Sequence, residues 1–142
     1  MLGVELPLGR PASGAETAAV FAPNAWVRVD AQGTVTIVVA KSEMGQGSLT
    51  SMAVLVAEEL EAEWSTVRIQ SAPVDPAYRD AIEGVQATTG DTSVRGSWLP
   101  LRQAGAAARE MLVTAAAQEW GVPPESCSAE QGSCGTGRPG DG

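Results

Sequence analysis

The sequence predicts an α+β fold, a small sheet with two helices packed on one face, in the order β-β-α-β-α. Three observations lead there. Short β-branched runs alternate with polar residues, two longer stretches repeat apolar residues at three- and four-residue steps, and glycine- or proline-bearing turns separate them.

Residues 1–24 are rich in Pro, Gly and Ala without a sustained period and read as a flexible lead-in. Trp26, Val27 and Val29, then Val35, Ile37 and Val39, flank Ala31-Gln32-Gly33, the pattern of a hairpin. From Ser48 to about Glu61, Leu49, Met52, Ala53, Val56 and Leu60 line one helical face. Ser48 or Thr50 fits the N-cap. Glu58, Glu59, Glu61 and Glu63 crowd the far end of this helix, opposing its dipole by on the order of 0.5 kcal/mol each. They read as a solvated face, not a metal site.

Val67 to Ala72 alternates again and predicts a third strand. Pro73 to about Ala87 is a long polar loop, a length uncommon in a compact domain unless the loop is functional or covered. A second helix runs from about Ser97, its cap, to Trp120, and Gly121-Val122-Pro123-Pro124 stops it. Its small run, Ala104-Gly105-Ala106-Ala107-Ala108, allows close packing. Cys127 to Gly132 begins a weak strand, and residues 133–142 read as a disordered or frameshifted tail. The folded unit is therefore expected over 25–132, with the chain cut from a longer reading.

Composition narrows the chemistry. A chain of 142 residues holds one domain with a real core. A net charge of −8, with a single lysine, argues against nucleic acid and anionic membrane surfaces as partners. There is no histidine, so the usual zinc and haem ligands, the Ser-His-Asp triad and the commonest general base are missing. Cys127 and Cys134 lie outside any CxxC pair and read as incidental. No run approaches the roughly 18 apolar residues a membrane span needs, and the chain reads as soluble. Trp26, Trp64, Trp98 and Trp120 are spaced as core or subunit-interface anchors.

The most informative stretch is Lys41-Ser-Glu-Met-Gly-Gln-Gly-Ser-Leu-Thr50. A β-branched run, Thr34 to Val39, precedes it and a helical pattern follows. A strand, a loop with two glycines and a helix N-terminus can hold an anion, because the first helical N–H groups have no intrahelical partners. Gln46 adds an amide that donates and accepts. By itself this is an anion or cofactor loop of unspecified type.

Glu43-Met-Gly-Gln-Gly47, Thr50 and Ala53-Val-Leu-Val-Ala-Glu-Glu-Leu60 resemble the pterin-binding segment of the molybdenum hydroxylases, the xanthine dehydrogenase and aldehyde oxidase family. A second block agrees, Thr89-Gly-Asp-Thr-Ser-Val-Arg-Gly-Ser-Trp98 followed by Leu101 to Arg109. The similarity lies within the branch holding the large (beta) subunit of isoquinoline 1-oxidoreductase and related aldehyde dehydrogenases. It extends from about Phe21 to Gly132.

The resemblance implies a molybdopterin cofactor in the intact subunit, held in part by Gly45, Gln46 and Gly47, and by Gly90, Thr92 and Ser93. Gln46 matches the glutamine that hydrogen-bonds the cofactor. Thr92 and Ser93 match cofactor-facing hydroxyls, and the same turn also serves as a polar cap of the long helix. Where Gly90-Asp91 stands here, relatives often carry a second glycine and a serine. Arg95 and Arg102 could reach a phosphate or project into water.

The family's catalytic glutamate sits in a Gly-x-Gly-Glu-like context that this chain lacks, so no catalytic and no metal-binding residue is assigned. The implied partners are the remainder of the large subunit, an iron–sulfur small subunit, and a small aldehyde or N-heterocycle. Relatives in the branch often carry a twin-arginine export signal, which leaves periplasm and cytoplasm both open. The expected function is thus part of the pterin cradle of an oxidoreductase that hydroxylates aldehydes or N-heterocycles. The alternative is a non-catalytic α+β interaction module.

Overall fold

The computed structural model describes residues 20–137. The expectations for residues 1–19 and 138–142 lie outside them. A four-stranded mixed sheet has the order β1 (Val20–Phe21), β2 (Val27–Asp30), β3 (Val35–Val39), β4 (Val67–Ser71). Helix α1 spans Ser48–Leu60 and α2 spans Thr92–Trp120. A second sheet is the hairpin of β5 (Cys127–Glu130) and β6 (Ser133–Thr136).

The predicted hairpin is β2–β3, with Val27 opposite Ile37 and Val29 opposite Val35. Its turn works because Asp30 accepts from the N–H groups of Gln32 and Thr34, both at 2.9 Å, and Gly33 takes φ +82°. β4 joins β3 in parallel, Val35 opposite Val67, so β3–α1–β4 is a βαβ unit. That connection puts the loop of residues 40–47 at the C-terminal end of a parallel strand, where open sheets hold their ligands.

One core joins the layers. Val27, Val35, Ile37 and Val39 of the sheet meet Met52, Ala53, Val56, Ala57 and Leu60 of α1, with Leu101 and Ala108 of α2. Full burial of side chains such as Ile37 and Met52 is worth about 1.5–3 kcal/mol each. The small residues of α2 perform as predicted, since a Cβ added at Gly105 would lie 2.5 Å from the carbonyl oxygen of Val56. Only glycine lets the two helix backbones come so close.

Several sequence expectations are corrected. Neither Ser48 nor Thr50 caps α1; its cap position is Gly47, in the left-handed region at φ +77°. Helix α2 begins at Thr92, with Ser97 already inside it. The helix continues through Pro100, whose ring nitrogen cannot donate to the carbonyl of Gly96 one turn back.

The lead-in ends sooner than expected. Val20–Phe21 pairs with β2, and Asn24 binds Trp26 and Val27 amides while donating to the Ala104 carbonyl at 3.1 Å. At the other end, Ser133–Thr136 forms a strand where a tail was expected. Gln131 and Gly132 take φ +46° and +76° and turn that strand onto β5, the two-residue turn that suits strand twist. The hairpin packs against α2 and is tied to the end of α1, the Gly132 nitrogen 2.6 Å from the carbonyl oxygen of its C-cap residue Glu61.

Among the tryptophans only Trp26 joins the core, edge-to-face with Tyr78 at 5.0 Å. Trp64, Trp98 and Trp120 are 46%, 48% and 44% exposed. The two cysteines are free, set diagonally because Cys134 faces Ala129. Burial pushes the Cys134 thiol up, and Cys127 nearby adds to the effect. The glutamate-rich end of α1 is partly neutralised from α2: Arg102 pairs with Glu59, and Arg109 approaches Glu61 at 3.9 Å. No described helix is long and apolar enough to cross a membrane.

Candidate functional site

The loop after β3 is closed by its own side chains. Glu43 curls back over it, Oε1 accepting from the N–H groups of Gly45 at 2.7 Å and Gly47 at 2.9 Å. Its Oε2 accepts from Leu49 at 3.1 Å, in the first turn of α1. These N–H groups, Gly47 first and then Leu49, hold the Glu43 carboxyl below its ordinary range. The anion seat expected at the start of α1 is therefore real, and an internal carboxylate fills it.

Gln46 knits the other side. Its Nε2 donates to the Ser42 carbonyl at 2.9 Å and to the Ser48 hydroxyl at 3.0 Å. Its Oε1 accepts from the Met44 amide. Both donors of the carboxamide are thus committed to the loop, and the oxygen keeps one lone pair in reserve. Gly45 and Gly47 have φ of +92° and +77°, and a Cβ on either would meet nothing within 4 Å. Glycine is needed here for backbone conformation.

The second block lies beside the first. Ser42 N–H donates to the Thr88 hydroxyl at 2.7 Å, bridging the loop to the approach of α2. Between them opens a cleft of about 460 Å³, lined by Met44 and Gln46 on one side and by Thr88, Gly90, Asp91 and Ser93 on the other. Of the six residues expected at the site, Gln46, Gly90 and Ser93 line this cleft. Gly45 and Gly47 shape its loop. Thr92 is buried, its hydroxyl donating to the Thr89 carbonyl at 3.0 Å, so it holds the turn instead of facing outward.

The lining is neutral apart from Asp91. Arg95 does not line it, and Arg102 is spent on Glu59 while stacking over Trp98 at 5.3 Å. The cleft joins the apolar side chains of Met44 and Val94 to the amide of Gln46 and the hydroxyls of Thr88 and Ser93, a mix that can take a flat heterocycle with a hydrogen-bonding edge. It does not suit a phosphate, which would find a carboxylate and no cation.

Sequence reasoning missed the anchor of this arrangement. Lys41 and Asp80 form an ion pair with side chains 4% and 0% exposed. Lys41 Nζ also donates to the Ala87 carbonyl at 2.8 Å, and Asp80 Oδ1 accepts from Ile82 and Glu83 N–H groups at 2.7 and 3.0 Å. Burial would raise the Asp80 carboxyl, but the Lys41 hydrogen bond and the backbone donors outweigh it and hold it low. A lone lysine beside the loop was the available signal. Nothing in the sequence pointed to its partner 39 residues away.

Comparison with known proteins agrees with the geometry. A profile of the molybdopterin cofactor-binding domain matches residues 5–139. The beta subunit of isoquinoline 1-oxidoreductase from Brevundimonas diminuta is 41% identical over 130 residues, covering 86% of this chain and 17% of that protein. The membrane-bound aldehyde dehydrogenase [pyrroloquinoline-quinone] of Gluconacetobacter polyoxogenes is 37% identical over 124 residues, 86% of this chain and 15% of that protein. A component of nicotinate dehydrogenase from Pseudomonas putida is 34% identical over 91 residues, 64% of this chain and 7% of that protein. The chain thus spans under a fifth of these relatives' length. With two glycine-bearing loops meeting at one cleft and the profile covering nearly all of its residues, the chain belongs to the molybdopterin cofactor-binding domain family.

Proposed function

We propose that this chain supplies part of the pterin cradle in the cofactor-binding subunit of an oxidoreductase that hydroxylates aldehydes or N-heterocycles. The observation that carries the reading is the meeting of the 43–47 loop with the 88–94 turn at one cleft. When bound, the cofactor would supply the redox chemistry; the residues here bind and orient. Gln46 offers its remaining acceptor lone pair and Ser93 its hydroxyl, while Gly90 keeps the rim low. Gly45 and Gly47 hold the loop shape, and Thr92 braces the turn.

No residue of this chain takes a catalytic role in this reading. The general base and the substrate pocket belong to the remainder of the large subunit, and the electron exit to an iron–sulfur small subunit. The half-exposed Trp64, Trp98 and Trp120 support coverage by further protein. A cradle built from one side only binds weakly, so the isolated chain should retain little cofactor.

The test is the whole two-subunit enzyme carrying Gln46→Ala or Ser93→Ala, assayed for molybdenum and for oxidised pterin fluorescence per protein. Both contents should fall several-fold. Unchanged contents in both variants would remove these residues from the cradle, and stoichiometric molybdenum on the isolated chain would overturn the partial-cradle reading.

A further inference from the structure

The geometry points to the Lys41–Asp80 pair as the positioning device that sets the two walls of the cleft against each other. Its functional meaning rests on the cradle reading above; its mechanical claim does not. Between β4 and α2 the chain runs 72–91 without a strand or α-helix, too long to hold one shape unaided. Asp80 is where that segment is gathered. Its backbone N–H donates to Val85 and its carbonyl accepts from Gly84, both at 2.9 Å, while its Oδ1 holds Ile82 and Glu83.

Three parts converge on this one carboxylate. Lys41, the second residue after β3, reaches it from the strand side. The turn of residues 80–85 wraps it. Helix α2 lies directly against it, since a Cβ at Gly96 would stand 2.6 Å from Asp80 Oδ2 and 2.7 Å from Oδ1. Lys41 then ties off the segment's end through Ala87, one residue before Thr88 binds Ser42. Lys41 is two residues before Glu43, so whatever fixes Lys41 fixes the start of the clamped loop.

An apolar contact would fill the same space but would not choose a register. A lysine has three directed donors and a carboxylate two oxygens, here accepting from Lys41, Ile82 and Glu83, and no buried side-chain polar atom among the described residues is left without a partner. Neither Lys41 nor Asp80 lines the cleft, so they act through Gln46 and Ser93 as positioning residues.

Amide hydrogen exchange on the full chain tests this without any cofactor. In Asp80→Asn and Lys41→Met, the amides of Gly45, Gly47 and Leu49, which Glu43 holds and Asp80 does not touch, should exchange about tenfold faster or more. Amides of Met52 to Val56 in α1, which open only with the whole fold, should speed up only by the factor that each variant's urea-measured loss of stability gives. Should either variant fail to fold, Gly96→Ala displaces the carboxylate while keeping both charges, and the same loop amides should respond. Unchanged loop amides, or loop amides that exchange only as fast as those of the α1 core, would overturn the positioning role. Cofactor content of the whole enzyme reports separately on the cradle, so either claim can fail alone.

Discussion

Glu43 and Gly47 are bound to each other across the loop they delimit, the carboxylate Oε1 lying 2.9 Å from the glycine nitrogen. This contact decides what the loop can do. A glycine-rich strand-to-helix turn ordinarily offers its amides to an outside anion, and here the anion is already in place.

Removing Glu43 should therefore loosen the loop and expose an anion seat. In Glu43→Ala, the amides of Gly45, Gly47 and Leu49 should lose protection several-fold, with the core of α1 unaffected. Inorganic phosphate titrated against the variant should shift these same amides in an NMR spectrum, and should leave them still in the parent chain. Equal responses in both would show that Glu43 does not fill the seat.

Acid should weaken the fold through three carboxylates. Asp30 and Glu43 are held below their ordinary values of 3.8 and 4.5 by backbone donors, the Thr34 N–H first for Asp30 and the Gly47 N–H first for Glu43. Asp80 is held below 3.8, burial being outweighed by Lys41 and the backbone. A carboxyl lowered in the folded state contributes stability that is complete above its unfolded value and is lost as pH falls through the folded one. Urea midpoints should thus be insensitive to these groups above about pH 5 and drop below about pH 4. A midpoint that rises on acidification through that window would contradict the assignment.

Gly105→Ala sets two effects against each other. Alanine improves helix propensity by about 1 kcal/mol. The added Cβ, though, would stand 2.5 Å from the Val56 carbonyl oxygen and 3.0 Å from the Glu59 Cβ, so the helices must separate. Overpacking of this kind costs about 1–3 kcal/mol, and the partner is backbone, which cannot swing aside. The net should be a loss, seen as a lower Tm; a higher Tm would mean the helix pair has slack.

The buried pair should show a counterintuitive order of stability. Lys41→Met strands a carboxylate whose side chain is 0% exposed, at a cost of about 3–5 kcal/mol. Lys41→Met combined with Asp80→Asn should be more stable than Lys41→Met alone. The amide oxygen still accepts from Ile82 and Glu83, and no charge is left unpaired. Urea unfolding of the two variants decides it, and a double variant weaker than the single would show that the charge itself is not the burden.

Much of this was legible from local pattern. The β2–β3 hairpin, α1 and β4 follow from residues that are neighbours in sequence, because alternation and helical spacing are local properties. The glycine motif and the second block picked out two segments that the fold brings to one cleft, and Gly105 in its alanine run indicated a close helix contact. Strand β5 was legible as a weak strand, but β6 was lost because Ser133 to Thr136 has poor strand propensity and is held by a turn and by Glu61.

Tertiary structure alone decided the rest. Whether Gln46, Thr92 and Ser93 face outward depends on hydrogen bonds made after the loops meet: Gln46 turns its donors inward, Thr92 is buried, and Ser93 lines the cleft. That Lys41 would find Asp80, and that Glu43 would fill the seat before α1, could not be read from spacing. Burial and partner choice are set by the packed chain, whereas helix and strand periods are written along it.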